Sequence, residues 1–383
     1  MSSPRRPAQY YLAQLDPSKI TAAREMRGYT KKELADLLEK SASAVSQFES
    51  GKSGLDLETF VRLAMVLSVP PSFFSSSEKE TLPDFAACHF RAKLSVAQTA
   101  KRKAYEYARR IVRLFEALER RGVQFPENVI GEYDGEYTPR GVEQLGAKVR
   151  KDWGLGLGPI PNMLNLLESR GVFVILLPSD CGGIDACTFW EGDRPCIAIN
   201  YSMPASRLQF DLGHELAHLL KDRDKSSGDS KTERIANHFS GAFLAPASTF
   251  QEECPWRYYR STFLELKSRW RISISAALFR ARQLDVMSEA SYRWAMVMLS
   301  KNGERSAEPG EFAKDVPMLL RQGLEILKGE ITIEDIAEEV RLNSNEVEMM
   351  LKAQLVPDEV LDVMRSKPAD HFMPKVFRLQ NAE

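Results

Sequence analysis

The residues best suited to chemistry lie in one run, Asp211-Leu212-Gly213-His214-Glu215-Leu216-Ala217-His218-Leu219-Leu220, which contains an H-E-x-x-H. Residues four apart on an α-helix share a face, so His214 and His218 can present two imidazole nitrogens to one metal ion. Glu215 follows the first histidine and is close enough to a metal-bound water to act as its base. Leu212, Leu216, Leu219 and Leu220, extended upstream by Phe210, give the helix an apolar surface that can be buried and hold the ligands still. A third ligand is needed, and Glu233 is the best candidate. It is a carboxylate near the start of a second helical pattern in which Ala236, Phe239, Ala242 and Phe243 fall at core spacing. Two His and one Glu, with the fourth position open to water, form a catalytic zinc arrangement rather than a closed structural one. The variant with a third His is excluded, because Lys221 and Asp224 occupy the positions of its Gly and His.

At 383 residues the chain is longer than one domain. No stretch approaches the roughly 18 apolar residues of a membrane span, and no apolar run follows Met1–Arg6 as a secretory signal would require. The five cysteines, Cys88, Cys181, Cys187, Cys196 and Cys254, are odd in number and form no C-x-x-C. Reduced thiols in a cytoplasmic protein are the expectation. With 52 Lys and Arg against 53 Asp and Glu, any nucleic-acid surface must be local.

The N-terminal segment, residues 1–80, reads as a bundle of short helices. Ser18–Met26 stops at Gly28, and Thr30 with Glu33 forms a capping box for the next helix. Ser41–Ser50 follows a tight turn and places Val45 and Phe48 on one side and Ser43, Ser46 and Gln47 on the other. Leu57–Leu67 completes the unit. Two short helices joined by a tight turn make a helix-turn-helix. Over residues 17–75 the wording resembles the Xre/Cro-type repressor domain, above all in Glu33-Leu34-Ala35, Val45 to Lys52 and Leu63 to Val69. The resemblance implies a five-helix DNA-binding domain with Ala42, Ser43, Ser46 and Gln47 facing base edges in the major groove. Gln can pair bidentately with adenine. Lys31 and Lys52 would sit at phosphates of double-stranded DNA, and such domains usually bind as homodimers on paired half-sites. Glu39-Lys40 occupies the turn, where the family often has Gly.

Residues 81–157 read as a helical connector. Its long helix, Ser95–Arg121, carries an apolar stripe through Ala104, Ala108, Ile111, Phe115 and Leu118. From Arg91 to Arg121 there are ten Lys or Arg and three Glu, expected as a solvated face of long side chains lying over a core. A second helix covers Val142–Trp153. Residues 158–255 form the metal domain. They comprise a short helix Asn162–Ser169, a buried strand Val172–Leu177, two further strands at Asp185–Trp190 and Pro195–Asn200, and the two metal helices. Residues 256–383 read as helical, with helix-turn-helix-like units at Phe263–Leu284 and Thr332–Lys352. From Glu325 to Lys352 eight acids face three bases, so packing or protein contact is expected there and not DNA. The fold class expected overall is α+β, predominantly α.

Leu166 to Val172, Ile184-Asp185-Ala186, Ile197 to Asn200, Phe210 to His218, Glu233 to Phe239 and Leu244-Ala245-Pro246 resemble the ImmA/IrrE metallopeptidase family over roughly residues 85–300. The resemblance implies a zincin-like domain with His214, His218 and Glu233 as Zn2+ ligands and Glu215 as the catalytic base. It also implies a protein substrate, a partner or cognate repressor whose cleavage switches on stress-response or mobile-element genes. An Xre-type domain ahead of the peptidase is a known arrangement in that family. Asn237, four residues after Glu233 and so on its face, is expected to orient it. Tyr201 and His238 are candidate oxyanion donors, and the polar segment Asp222–Lys231 is a candidate rim. The alternative is a transcription factor whose metal domain senses metal, ligand or partner and does not cut.

Overall fold

A computed structural model describes residues 6–75, 85–92, 95–133, 138–221, 230–305, 307–365 and 377–378. Among these the fold is predominantly helical around one small sheet. Five helices open the chain: α1 (Ala8–Leu12), α2 (Pro17–Met26), α3 (Lys31–Leu38), α4 (Ala42–Glu49) and α5 (Leu57–Val66). The starts of α2 to α5 follow from side-chain caps. Asp16, Ser41 and Asp56 accept amides of the first turns of α2, α4 and α5, and Thr30 and Glu33 form the reciprocal capping box on α3. The turn between α3 and α4 keeps left-handed geometry at Glu39 (φ 55°) although the residue is not glycine. A Cβ there costs about 1–2 kcal/mol.

After a short strand β1 (His89–Ala92) comes the long helix α6 (Gln98–Arg120), then β2 (Val123–Gln124), α7 (Pro139–Asp152) and α8 (Met163–Ser169). Strands β3 (Phe173–Leu177), β4 (Ile184–Glu191) and β5 (Arg194–Asn200) precede the paired helices α9 (Ala205–Lys221) and α10 (Ser230–Leu244). The main sheet runs β1-β4-β5-β3, with β3 parallel to β5 and the other pairs antiparallel. A continuous apolar run should be buried on both faces, and β3 is. Phe173, Ile175 and Leu177 face one core, and Val174 and Leu176 face the other. On the first face lies α6, where Phe115 stacks on Phe173 with ring centroids 4.0 Å apart. On the second lie α8, α9 and α10.

The connector expected at 81–157 is therefore built into both neighbours. It supplies the edge strand β1 to the sheet, and α7 packs against α10. The solvated basic face expected on α6 is not what the fold uses. Arg109 and Arg110 are buried, and they pair with Glu106 at 3.3 and 3.2 Å. Arg113 pairs with Glu191 at 2.9 Å. The basic run thus supplies partners for carboxylates inside the fold.

The remaining helices are α11 (Ala247–Glu253), α12 (Arg260–Trp270), α13 (Ile274–Gln283), α14 (Glu289–Lys301), α15 (Leu319–Leu327), α16 (Ile333–Val340), α17 (Ser344–Ala353) and α18 (Asp358–Arg365), followed by β6 (Phe377–Arg378), which pairs with β2. The two helix-turn-helix-like units, α12–α13 and α16–α17, repeat the α3–α4 turn. Arg271 and Arg341 take the left-handed position at φ 53° and 57°, each followed two residues later by the next helix's cap position. Ile274, Ala277, Leu278, Arg280 and Ala281 of α13 are buried, and α17 touches the N-terminal bundle near its start. Arg27 pairs with Glu346 at 2.7 Å, and the Asn343 amide donates to the Ser68 carbonyl at 2.8 Å. Gln354 closes the free edge of β3, accepting from Leu176 N at 2.8 Å and donating to Leu176 O at 2.9 Å.

Gly213 lets α9 approach its partner α10. A Cβ there would lie 2.6 Å from Ser240 Oγ, which itself donates to the Phe210 carbonyl on α9. Gly213→Val is expected to push α9 and α10 apart and to lower stability by about 1–3 kcal/mol, read as a lower urea midpoint at unchanged m.

Candidate functional site

His214 and His218 lie one turn apart on α9 and are almost fully buried, at 1% and 2% exposure. Glu233, in the first turn of α10, completes a group whose donor atoms all lie within 4.8 Å of one another, the metal-suited group among the described residues. The Nε2 atoms of the histidines are 3.2 Å apart. Glu233 Oε2 is 3.3 Å from His214 Nε2, and Oε1 is 3.6 Å from His218 Nε2. Four tetrahedral donors around an ion at zinc bond lengths would stand about 3.3 Å apart. The three side chains thus fit a zinc-sized ion, and Glu233, 35% exposed, lies toward the open side.

Burial drives the His214 imidazole down to about 4, ahead of the opposing effect of Glu233, so the ring is neutral, the form that ligates a metal. Burial pushes Glu233 up, but the His214 and His218 rings and Arg91 beside it outweigh burial and hold the carboxyl below its ordinary range. Asn237 was expected to orient Glu233. Instead its Oδ1 lies 3.0 Å from His214 Nδ1, which fixes the histidine ring from behind.

Glu215 is 1% exposed, and burial raises its carboxyl to about 7. Thr188 on β4 donates to its Oε2 at 2.5 Å, while Oε1 is buried with no hydrogen-bond partner. A buried carboxylate oxygen without a donor is costly, and a water or substrate proton would satisfy it.

Both candidate oxyanion donors contact residues outside the His214, His218 and Glu233 group. His238 binds Glu143 of α7 at 2.8 Å, in a cluster with Arg280. Tyr201 precedes α9, and Lys314 donates to its carbonyl at 2.8 Å and sits over its ring. The rim segment falls mostly in 222–229, outside the described residues.

Three neighbours of the site were not read from sequence: Thr188, His89 and Arg91. Residues of one face alternate along a strand, and β1 aligns His89 with Thr188 and Arg91 with Ala186. His89 stacks on His218 with centroids 4.5 Å apart and planes 12° apart. Arg91 pairs with Asp211 of α9 at 3.0 Å. The only sequence signal was the two-residue alternation in His89-Phe90-Arg91, short and broken by charge.

In the N-terminal bundle Ala42, Ser43 and Gln47 are exposed along one side of α4, and Lys52 is exposed just beyond its end. Ser46 is half-buried, and Lys31 donates to its hydroxyl at 3.1 Å while pairing with Glu49 at 3.4 Å. Val45 and Phe48 point into the bundle core.

No helix among the described residues is long and apolar enough to cross a membrane. Comparison with protein families matches residues 20–74 to a helix-turn-helix family and residues 167–282 to the IrrE N-terminal-like domain, a peptidase family. No curated protein matches the chain. The second match includes α9, α10, β3, β4 and β5 but begins after β1, α6 and α7. The chain thus carries an Xre-type helix-turn-helix domain at residues 20–74, which indicates DNA binding, and an IrrE-like domain with a metallopeptidase-like fold at residues 167–282.

Proposed function

We propose that this protein is a DNA-binding regulator that is also a zinc-dependent endopeptidase, and that its substrate is a repressor or other regulatory protein of a stress or mobile-element response. The observation that carries the catalytic half is the spacing of His214, His218 and Glu233 beside a buried Glu215 with one unsatisfied oxygen. His214, His218 and Glu233 would hold a zinc ion, which would supply Lewis acidity to a water and to the scissile carbonyl. Glu215 Oε1 is placed to take a proton from an attacking water and to deliver it to the leaving amine. Thr188 keeps the other oxygen fixed, so the carboxylate turns only one atom to the reaction. Asn237 holds the Nδ1 proton of His214 so that Nε2 stays directed at the ion. The test is a search for new protein N-termini in cells making the wild type or Glu215→Gln. A cut present only with the wild type supports the peptidase, and identical sets with intact zinc binding point to the sensor reading.

The DNA half rests on the exposed side of α4. Gln47→Ala is expected to cost about 1–3 kcal/mol at the operator and to relax preference at one base pair. Lys52→Ala should weaken all sequences alike and reduce the salt slope by about 1. Gel-shift titrations at several salt concentrations separate the two.

A further inference from the structure

We propose that β1 is a third wall of the metal centre and that Arg91 is its positioning residue. This rests on the zinc reading above. The ligands come from two helices, α9 and α10, so their fit depends on how those helices are held together. Arg91 reaches both. Its Nη2 is 3.0 Å from Asp211 Oδ1, three residues before His214 on α9. Its Nη1 donates to Asn237 Oδ1, on α10, at 3.5 Å. Asn237 Oδ1 is also the atom facing His214 Nδ1 at 3.0 Å.

An asparagine amide can flip, and the two orientations present opposite hydrogen-bond roles. With Oδ1 toward His214, Nδ1 carries the proton and Nε2 is free for the metal. With the NH2 group there, Nδ1 would have to accept, the proton would move to Nε2, and the ligand would be lost. Arg91, which can only donate, selects the first orientation. His89, on the same side of β1, stacks on His218 and fixes the plane of the other imidazole. One strand therefore touches the surroundings of both histidine ligands, and it lies outside the segment matched to the peptidase family.

The experiment measures zinc affinity by chelator competition for the wild type, Arg91→Met and Arg91→Lys, and for Arg91→Met with Asn237→Asp. A carboxylate accepts through either oxygen and has no wrong flip, so Asn237→Asp removes the need for Arg91. Arg91→Met is expected to weaken zinc about 10- to 100-fold, the range for groups that support a ligand. In the Asn237→Asp background the same change should cost less than about threefold. Arg91→Lys keeps a charge for Asp211 and guards against misfolding, yet it cannot bridge to Asn237 as well, so it too should lose affinity. Equal losses in both backgrounds, or no loss in either Arg91 variant, would overturn the assignment. A wild type that binds no zinc would remove the peptidase reading itself, a different result from zinc binding indifferent to Arg91.

Discussion

Glu215→Gln should abolish peptide cleavage, by at least about 100-fold, while leaving zinc affinity and the fold in place. Gln keeps the shape and can still accept from Thr188, which donates to Oε2 at 2.5 Å, so the strand-to-helix link survives. What it loses is the ability to take a proton at Oε1. The substitution also has a readout that needs no substrate. In the metal-free protein burial raises the carboxyl from its ordinary 4.5 to about 7. Between those values the folded chain binds a proton that the unfolded chain does not. This contribution to stability is full below about pH 4.5 and is lost as the pH rises through about 7. Glu215→Gln has no proton to lose, so urea unfolding of the metal-free variant should fall less steeply over that window. An unchanged slope would show that Glu215 titrates normally and is not buried as described. With zinc bound, the positive charge of the ion would favour the carboxylate, so the acid limb of the proposed activity should lie below pH 7.

Lys267→Met should destabilise the protein by about 3–5 kcal/mol, because it strands carboxylates that now share a buried ammonium. Lys267 on α12 is completely buried and binds Glu308 at 3.2 Å and, more closely, Glu311. Each acid also caps a helix. Glu308 accepts the amides of Ile274 and Ser275 at the start of α13, at 2.7 and 3.0 Å. Glu311 accepts Ser206 N and Ser206 Oγ at the start of α9, at 3.1 and 2.7 Å. Removing the lysine leaves two acids facing each other at the foot of the metal helix. Replacing all three, with Gln at 308 and 311, keeps acceptors for the caps and removes the charge conflict. Most of the lost stability should return in that triple variant, measured as the urea midpoint. A single variant as stable as the wild type would contradict the role given to this cluster.

The sequence was most informative where one side chain acts through local geometry. The H-E-x-x-H spacing, the Thr30–Glu33 capping box and the apolar run of β3 each follow from helix or strand periodicity. Glu233 was legible as a carboxylate at a helix start. What escaped were partners contributed by distant chain. Thr188, His89 and Arg91 reach the site only because β4 and β1 pair in one register, and no local pattern encodes that. The same cause explains the basic helix α6. Its ten-to-three excess of basic residues from Arg91 to Arg121 looks solvated in isolation, but Glu191, 78 residues after Arg113, comes from β4 to neutralise it. Asn237 was placed on the correct helix face but assigned the wrong neighbour, because α10 turns that face toward α9. The helix-turn-helix-like pattern at 332–352 was read as packing or protein contact, and the structure sets it beside the N-terminal bundle.

The most direct test of the account is zinc content per chain, measured side by side on purified wild type and Glu233→Ala. It requires neither operator nor substrate. The account predicts one zinc in the wild type and a loss or marked weakening in the variant, with both proteins folded. A folded wild type that takes up no zinc even when zinc is added would contradict it, and would leave the helix-turn-helix as the working part of the molecule.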